Sequence, residues 1–137
     1  MKSLIIYYSY HGATKSRAQA LAAQLGTDLV EVRDAHRPGM VGAFLRCPSA
    51  LGMKRTPIEP LAVDLSAYTH ITLMAPVWAG YPAPAINHVL DALPSGAGVA
   101  VKLVSASGRS ACREKVAAKI AARGCTLESW EDISSKA

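Results

Sequence analysis

Ser9, His11, Gly12, Thr14 and Lys15 are the first side chains in the sequence that could act together. They lie in SYHGATK, directly after the apolar run LIIYY. A run of that length reads as a strand covered on both faces, residues 4–8, and the residues from Ala13 onward read as a helix. A glycine turn that feeds a helix presents unpaired backbone N–H groups and the positive end of the helix dipole. Such a place suits a phosphate, with the hydroxyls of Ser9 and Thr14 and the mobile charge of Lys15 beside it. The same residues admit a plainer role, in which Ser9 or Thr14 caps the helix and Gly12 only makes the turn. Neither G-x-x-x-x-G-K-[ST] nor G-x-G-x-x-G occurs, so any phosphate here is held by a different loop.

Two further stretches carry residues of this kind. In APVWAGYPAPA, four Pro and Gly residues (Pro76, Gly80, Pro82, Pro84) are poorly suited to the interior of a strand or helix. Trp78 and Tyr81 are therefore expected in a stiff loop at the carboxyl end of a strand over residues 70–75. Pro82 or Pro84 then opens a helix that runs to about Leu93, with Ile86, Val89, Leu90 and Leu93 on its apolar face. The third stretch, Ser105, Ala106, Ser107, Gly108, Arg109 and Ser110, follows a strand over residues 99–105. Lys102 in that strand is expected near an end or on a barely covered face.

The intervening elements place these loops. Ala18, Leu21, Ala22 and Leu25 form a helical stripe over Ala13–Leu25, closed by Gly26. Residues 28–33 alternate and read as a short strand near a sheet edge. Residues 34–68 form an irregular arm rich in Pro and Gly, with a short helix over about 40–46, extended over 49–54, and Cys47 as an exposed thiol. After the third loop, Ala111, Val116, Ala118, Ile120 and Ala121 pack a helix that Gly124 ends, and residues 125–133 hold the last strand. Strands alternating with helices imply a parallel α/β sheet with helices on both faces, doubly wound by right-handed crossovers. Ligands of such sheets sit at the carboxyl ends of the strands. All three loops fall on that edge, and their convergence strengthens the phosphate reading.

Composition bounds the rest. The chain has 137 residues, half of them hydrophobic and 18% charged, which suits one globular domain. No apolar run reaches the length of a bilayer span, and the N-terminus reads as strand one, not a signal peptide, so the default location is cytoplasmic. Three cysteines, Cys47, Cys112 and Cys125, show no metal-ligand spacing and suit free thiols in a reducing compartment. His11, His36, His70 and His88 are scattered, so no metal is expected. The net charge is +5, with Arg33, Arg37, Arg46, Lys54 and Arg55 close together. They form either a patch for an anionic partner or a solvated basic surface. No recognition motif or interleaved aromatics support nucleic-acid binding.

A phosphate loop, a rigid aromatic and a small-residue loop together suit a phosphorylated planar ligand such as FMN. Here the sequence resembles the flavodoxin-like FMN-binding proteins over nearly its whole length, particularly the short ones. SYHGAT is similar to their S/T-x-x-G-x-T phosphate loop, APVWAG to their P-V-W-x-G loop, and SASG stands where their flavin-edge loop stands. The resemblance implies a five-stranded parallel sheet of order 2-1-3-4-5, FMN as cofactor, and electron transport or NAD(P)H-dependent reduction of a quinone or similar acceptor. It places the phosphate on Ser9, His11, Gly12, Ala13 and Thr14. Pro76, Val77, Trp78, Ala79 and Gly80 would line one side of the ring, and Ser105, Ser107, Gly108 and Arg109 the other. The expected partners are a redox protein or NAD(P)H.

Three departures stand out. Ala13 occupies a position where Asn is common. The chain is basic where carrier flavodoxins are usually acidic. The last helix is apparently lacking, so a face near Leu127 and Trp130 is expected to be bare and buried in a homodimer. A receiver module of the same fold needs acidic residues where Tyr8, Ser9, Ala75 and Pro76 stand. The alternative is a domain of this fold without bound FMN that acts as a protein-interaction module.

Overall fold

Successive residues of a strand point to opposite sides of the sheet, and in the computed structural model both sides of the interior strand β1 (Ser3–Tyr7) are buried. The structure describes residues 2–9, 12–34, 58–78 and 81–134. The strands are β1 (Ser3–Tyr7), β2 (Asp28–Glu31), β3 (His70–Trp78), β4 (Tyr81–Pro82), β5 (Gly98–Ser105) and β6 (Thr126–Ser134). The α-helices are α1 (Ala13–Leu25), α2 (Pro84–Leu90) and α3 (Arg113–Ala122). The main strands pair in the order β2-β1-β3-β5-β6, all parallel, with β4 as a short antiparallel appendage of β3. Counted along the chain, the long strands give the expected order 2-1-3-4-5.

The two faces differ in depth. Leu4, Ile6, Ile71, Leu73, Val99, Val101 and Leu103 point to one face, where Ile86, Val89 and Leu90 of α2 and Val116 and Ile120 of α3 cover them. Ile5, Tyr7 and Met74 point to the other, where Ala18 and Ala22 of α1 cover them. The register sets Met74 beside Lys102, and Lys102 beside Glu131, so the α1 side of β5 and β6 is polar. Lys102, a quarter exposed, pairs with Glu131 at 2.8 Å, which bears out its expected place on a barely covered face.

Leu127 and Trp130, expected to be bare, pack instead against the thick core on the α3 side. The reason is a bulge in β6. It opens between Val99 and Ala100 of β5 and makes Glu128 the extra residue, so Leu127 and Trp130 fall on the same face. Glu128 lies over Gly98, where a Cβ would meet its carboxylate, and reaches Nδ1 of His70 at 3.1 Å. Among the described residues no helix follows β6.

Two further expectations are corrected. β3 does not end at Ala75. Pro76 pairs with Val104 of β5, and the strand runs on to Trp78. Proline cannot donate to a ladder but can still accept, and the Pro76 carbonyl takes a hydrogen bond from the Ala83 amide at 3.2 Å. The helix after Pro84 stops at Leu90, with Leu93 buried just beyond it. Within the arm, Ile58 bridges Asp34, and Asp64 caps a turn of 3-10 helix (Leu65–Ala67) by accepting from the Ser66 amide. The expected arm helices, Cys47, His36 and the basic residues Arg37, Arg46, Lys54 and Arg55 lie outside the described residues. Among the described residues no helix is long and apolar enough to cross a membrane.

Candidate functional site

The first loop brings the β1 strand to the N-terminus of α1. Gly12 is the N-cap residue, with φ +92°, in the left-handed region that favours glycine. No side chain caps the helix, and its first turn carries no acid. The plainer reading of Ser9 and Thr14 as helix caps therefore does not hold. Ser9 Oγ accepts from the Gly12 amide at 3.0 Å, which shapes the turn. Thr14 is buried, and Ala13 and Lys15 are exposed. The space where a Gly12 Cβ would stand is open. An uncapped helix N-terminus with open space before it and a lysine beside it is an electropositive concavity. A cleft of about 340 Å³, lined in part by Ser9, Lys15, Arg33 and Asp34, opens next to it at the ends of β1 and β2. His11 lies outside the described residues.

The second stretch, expected as a stiff loop beyond the strand, is a short hairpin that continues it. Val77 and Trp78 pair antiparallel with Pro82 and Tyr81. Ala79 and Gly80, between them, lie outside the described residues. Trp78 is half-buried and packs edge-on against Tyr8, with ring centroids 6.1 Å apart and planes at 81°. Tyr8 is buried, and its hydroxyl donates to the Asp34 carboxylate. Trp78 is thus held from below by an aromatic that is itself tied to the end of β2. Sequence reasoning missed both Tyr8 and Asp34. No local pattern marks them, because 26 positions separate them and only the β1–β2 register brings them together.

The third loop braces itself. The Arg109 amide lies 3.2 Å from both Ser105 Oγ and Ser107 Oγ and donates to these hydroxyls. Gly108, at φ +70°, passes so close to β6 that a Cβ would meet Ser134 Cβ at 3.3 Å. Ser134 Oγ donates to the Ala106 carbonyl, and Arg17 of α1 donates to the carbonyls of Ala13 and Ser134. Arg17 therefore ties the first turn of α1 to the strand end that holds the third loop, a link absent from any motif. Cys112, which precedes α3, is buried, and burial pushes its thiol up to about 11 against the pull of a Ser110 hydrogen bond. It stays a neutral thiol at physiological pH, so no thiolate nucleophile is offered there.

Ser9, Gly12, Ala13 and Thr14 lie in the β1–α1 turn, Pro76, Val77 and Trp78 at the end of β3, and Ser105, Ser107, Gly108 and Arg109 after β5. In a parallel sheet these ends share one edge, with β3 between β1 and β5.

Solved structures of the same shape are known. A flavoprotein from Lactobacillus acidophilus NCFM, crystallised in complex with FMN, is 25% identical to this chain, with a TM-score of 0.72 over 94% of this chain and 91% of that one. The apo-form of the flavoprotein from that organism, solved by NMR, is also 25% identical, with a TM-score of 0.62 over 97% and 93%. Oxidised flavodoxin 1 from Bacillus cereus is 17% identical, with a TM-score of 0.59 over 98% and 86%. No family model and no curated protein matches the sequence. With its strand order, its three loops at one edge and these likenesses, the chain has the flavodoxin-like fold and is similar to flavoproteins of that fold.

Proposed function

We propose that the carboxyl edge of the sheet binds FMN and that the protein is an electron-transfer flavoprotein. One observation carries this reading. The N-terminus of α1 has neither a side-chain cap nor a first-turn acid, and it opens on the edge that also holds Trp78. A similar protein of L. acidophilus was crystallised with FMN, which supports the same reading. Ser9, His11, Gly12, Ala13 and Thr14 hold the phosphate. Pro76, Val77, Trp78, Ala79 and Gly80 line one side of the ring, and Ser105, Ser107, Gly108 and Arg109 the other. FMN, when bound, supplies the redox chemistry, and the chain tunes it by stacking, hydrogen bonds and charge. Tyr8 fixes the tilt of Trp78, and the self-braced third loop meets the ligand without reordering, which lowers the entropy lost on binding.

The reading extends to either a carrier or an NAD(P)H-dependent reductase of a quinone or similar acceptor. Rapid bleaching of bound flavin by NAD(P)H alone marks the reductase. The buried free thiols of Cys112 and Cys125 suit the reducing cytoplasm. A homodimer through the C-terminal strand would use the polar α1 side of β5 and β6, since Leu127 and Trp130 are engaged on the other.

The test is the visible spectrum of the purified protein, then an FMN titration followed by tryptophan fluorescence. We expect a bound-flavin spectrum and quenching that disappears in Trp78→Phe, where Trp130 remains. No flavin spectrum and no quenching at micromolar FMN would overturn the reading in favour of an interaction module.

A further inference from the structure

Five of the ten cations of the described residues have a polar partner. Arg33 pairs with Glu31, Lys102 with Glu131 and Lys119 with Asp91. Arg17 and Arg123 donate to backbone carbonyls. Of the other five, Lys2 lies over the Tyr68 ring at the amino end of the sheet and Lys15 in the first loop, while Arg109, Arg113 and Lys115 gather at the rim of the candidate site. Arg109 and Arg113 are exposed and make no ion pair among the described residues, and the exposed Lys115 meets only the Tyr81 ring, 5.1 Å from its centroid. Lys115 is thereby held over the hairpin that carries Trp78.

Their placement opposes local stability. Arg113 and Lys115 are the first and third residues of α3, where the helix dipole disfavours cations, and Glu114 is the one acid of that turn. The dipole opposes these charges and among them only Lys115 gains a contact, the Tyr81 ring, so they stay open to a partner outside the fold. None is buried, so they do not converge on a small anion. They present exposed positive charge along the third loop and the first turn of α3, with Lys115 beside the hairpin that carries Trp78. We infer that Arg109, Arg113 and Lys115 form the docking face for an acidic redox-partner protein, which brings negative charge to the flavin edge. The inference names the partner of the electron-transfer reading and rests on it for its purpose, while the docking itself is measurable with or without flavin.

The experiment is a titration of the isotope-labelled protein, loaded with FMN where it binds, followed by amide shifts at low ionic strength. The probes are an acidic blue-copper protein and a basic c-type cytochrome. We expect shifts over residues 106–115 with the acidic probe, none with the basic one, and their loss at about 0.2 M salt. R113E/K115E leaves every proposed cofactor residue in place and puts acids where the dipole favours them. It should weaken binding about tenfold or more. K2E/K119E changes the net charge equally but leaves the rim intact, and it should leave the shifts in place. Equal response to both probes, shifts centred elsewhere, or equal weakening by the two double variants would overturn the docking face. An absent flavin spectrum with these shifts intact would instead count against the FMN reading alone.

Discussion

The α2–α3 side of the sheet and the α1 side are built differently, and the candidate site is divided between them. The α2–α3 side buries a continuous core that includes Leu73, Leu90, Val101 and Ile120, each at most 2% exposed. The α1 side buries only Ile5, Tyr7, Ala18, Ala22 and Met74, then gives way to Lys102 and Glu131. The aromatic wall of the site belongs to the first side, because Tyr8 and Trp78 pack with the thick core. The helix proposed to hold the phosphate belongs to the second. On that proposal stability and phosphate binding rest on different layers, and mutations should separate them.

The largest expected effect is on the thick side. Leu90 is fully buried, so Leu90→Ala should destabilise the protein by about 3 kcal/mol through lost transfer energy and the cavity left behind. Leu21, partly buried on α1, should lose only about 1 kcal/mol as alanine. Urea unfolding measures both. FMN titration then sharpens the contrast. Leu21→Ala loosens α1 and should weaken FMN binding by more than its share of stability, whereas folded Leu90→Ala should bind nearly normally. Equal stability losses at the two positions would break the comparison.

A smaller effect tests the tie between wall and sheet. Tyr8→Phe removes the hydroxyl that donates to Asp34 and should lower stability by about 1.5 kcal/mol, as hydrogen bonds to charged groups do. It leaves the ring that touches Trp78, so near-ultraviolet circular dichroism should report a looser Trp78 and not a lost contact.

Strand and helix patterns that alternate from Leu4 to Gly26 and from His70 to Gly124 made a parallel α/β sheet readable, while the strand order was readable only through the resemblance to flavodoxin-like proteins. The loop positions were readable because Gly12 and Gly108 stand where strands end. The continuation of β3 through Pro76 was not readable, because the ladder to β5 needs only its carbonyl and the hairpin with β4 is a tertiary pairing. The division between layers was hidden too. Whether Trp130 faces α3 or solvent depends on one extra residue, Glu128, whose carboxylate lies over Gly98.

The smallest stability effect concerns the polar half of the thin side. Lys102 and Glu131 are a partly exposed pair, and such pairs contribute only about 0.5 kcal/mol. Lys102→Leu with Glu131→Leu should therefore change urea stability little. Its consequence should appear in solution mass. The replaced side chains would join Leu21, Met74 and Ile133 around an existing shallow depression of about 320 Å³. An apolar surface of that kind on an uncovered parallel sheet invites association. We expect sedimentation of the double variant at micromolar concentration to show self-association beyond that of the natural chain. If the mass does not change, charge is not what keeps this face open, and the contrast between the two sides reduces to the number of helices over each.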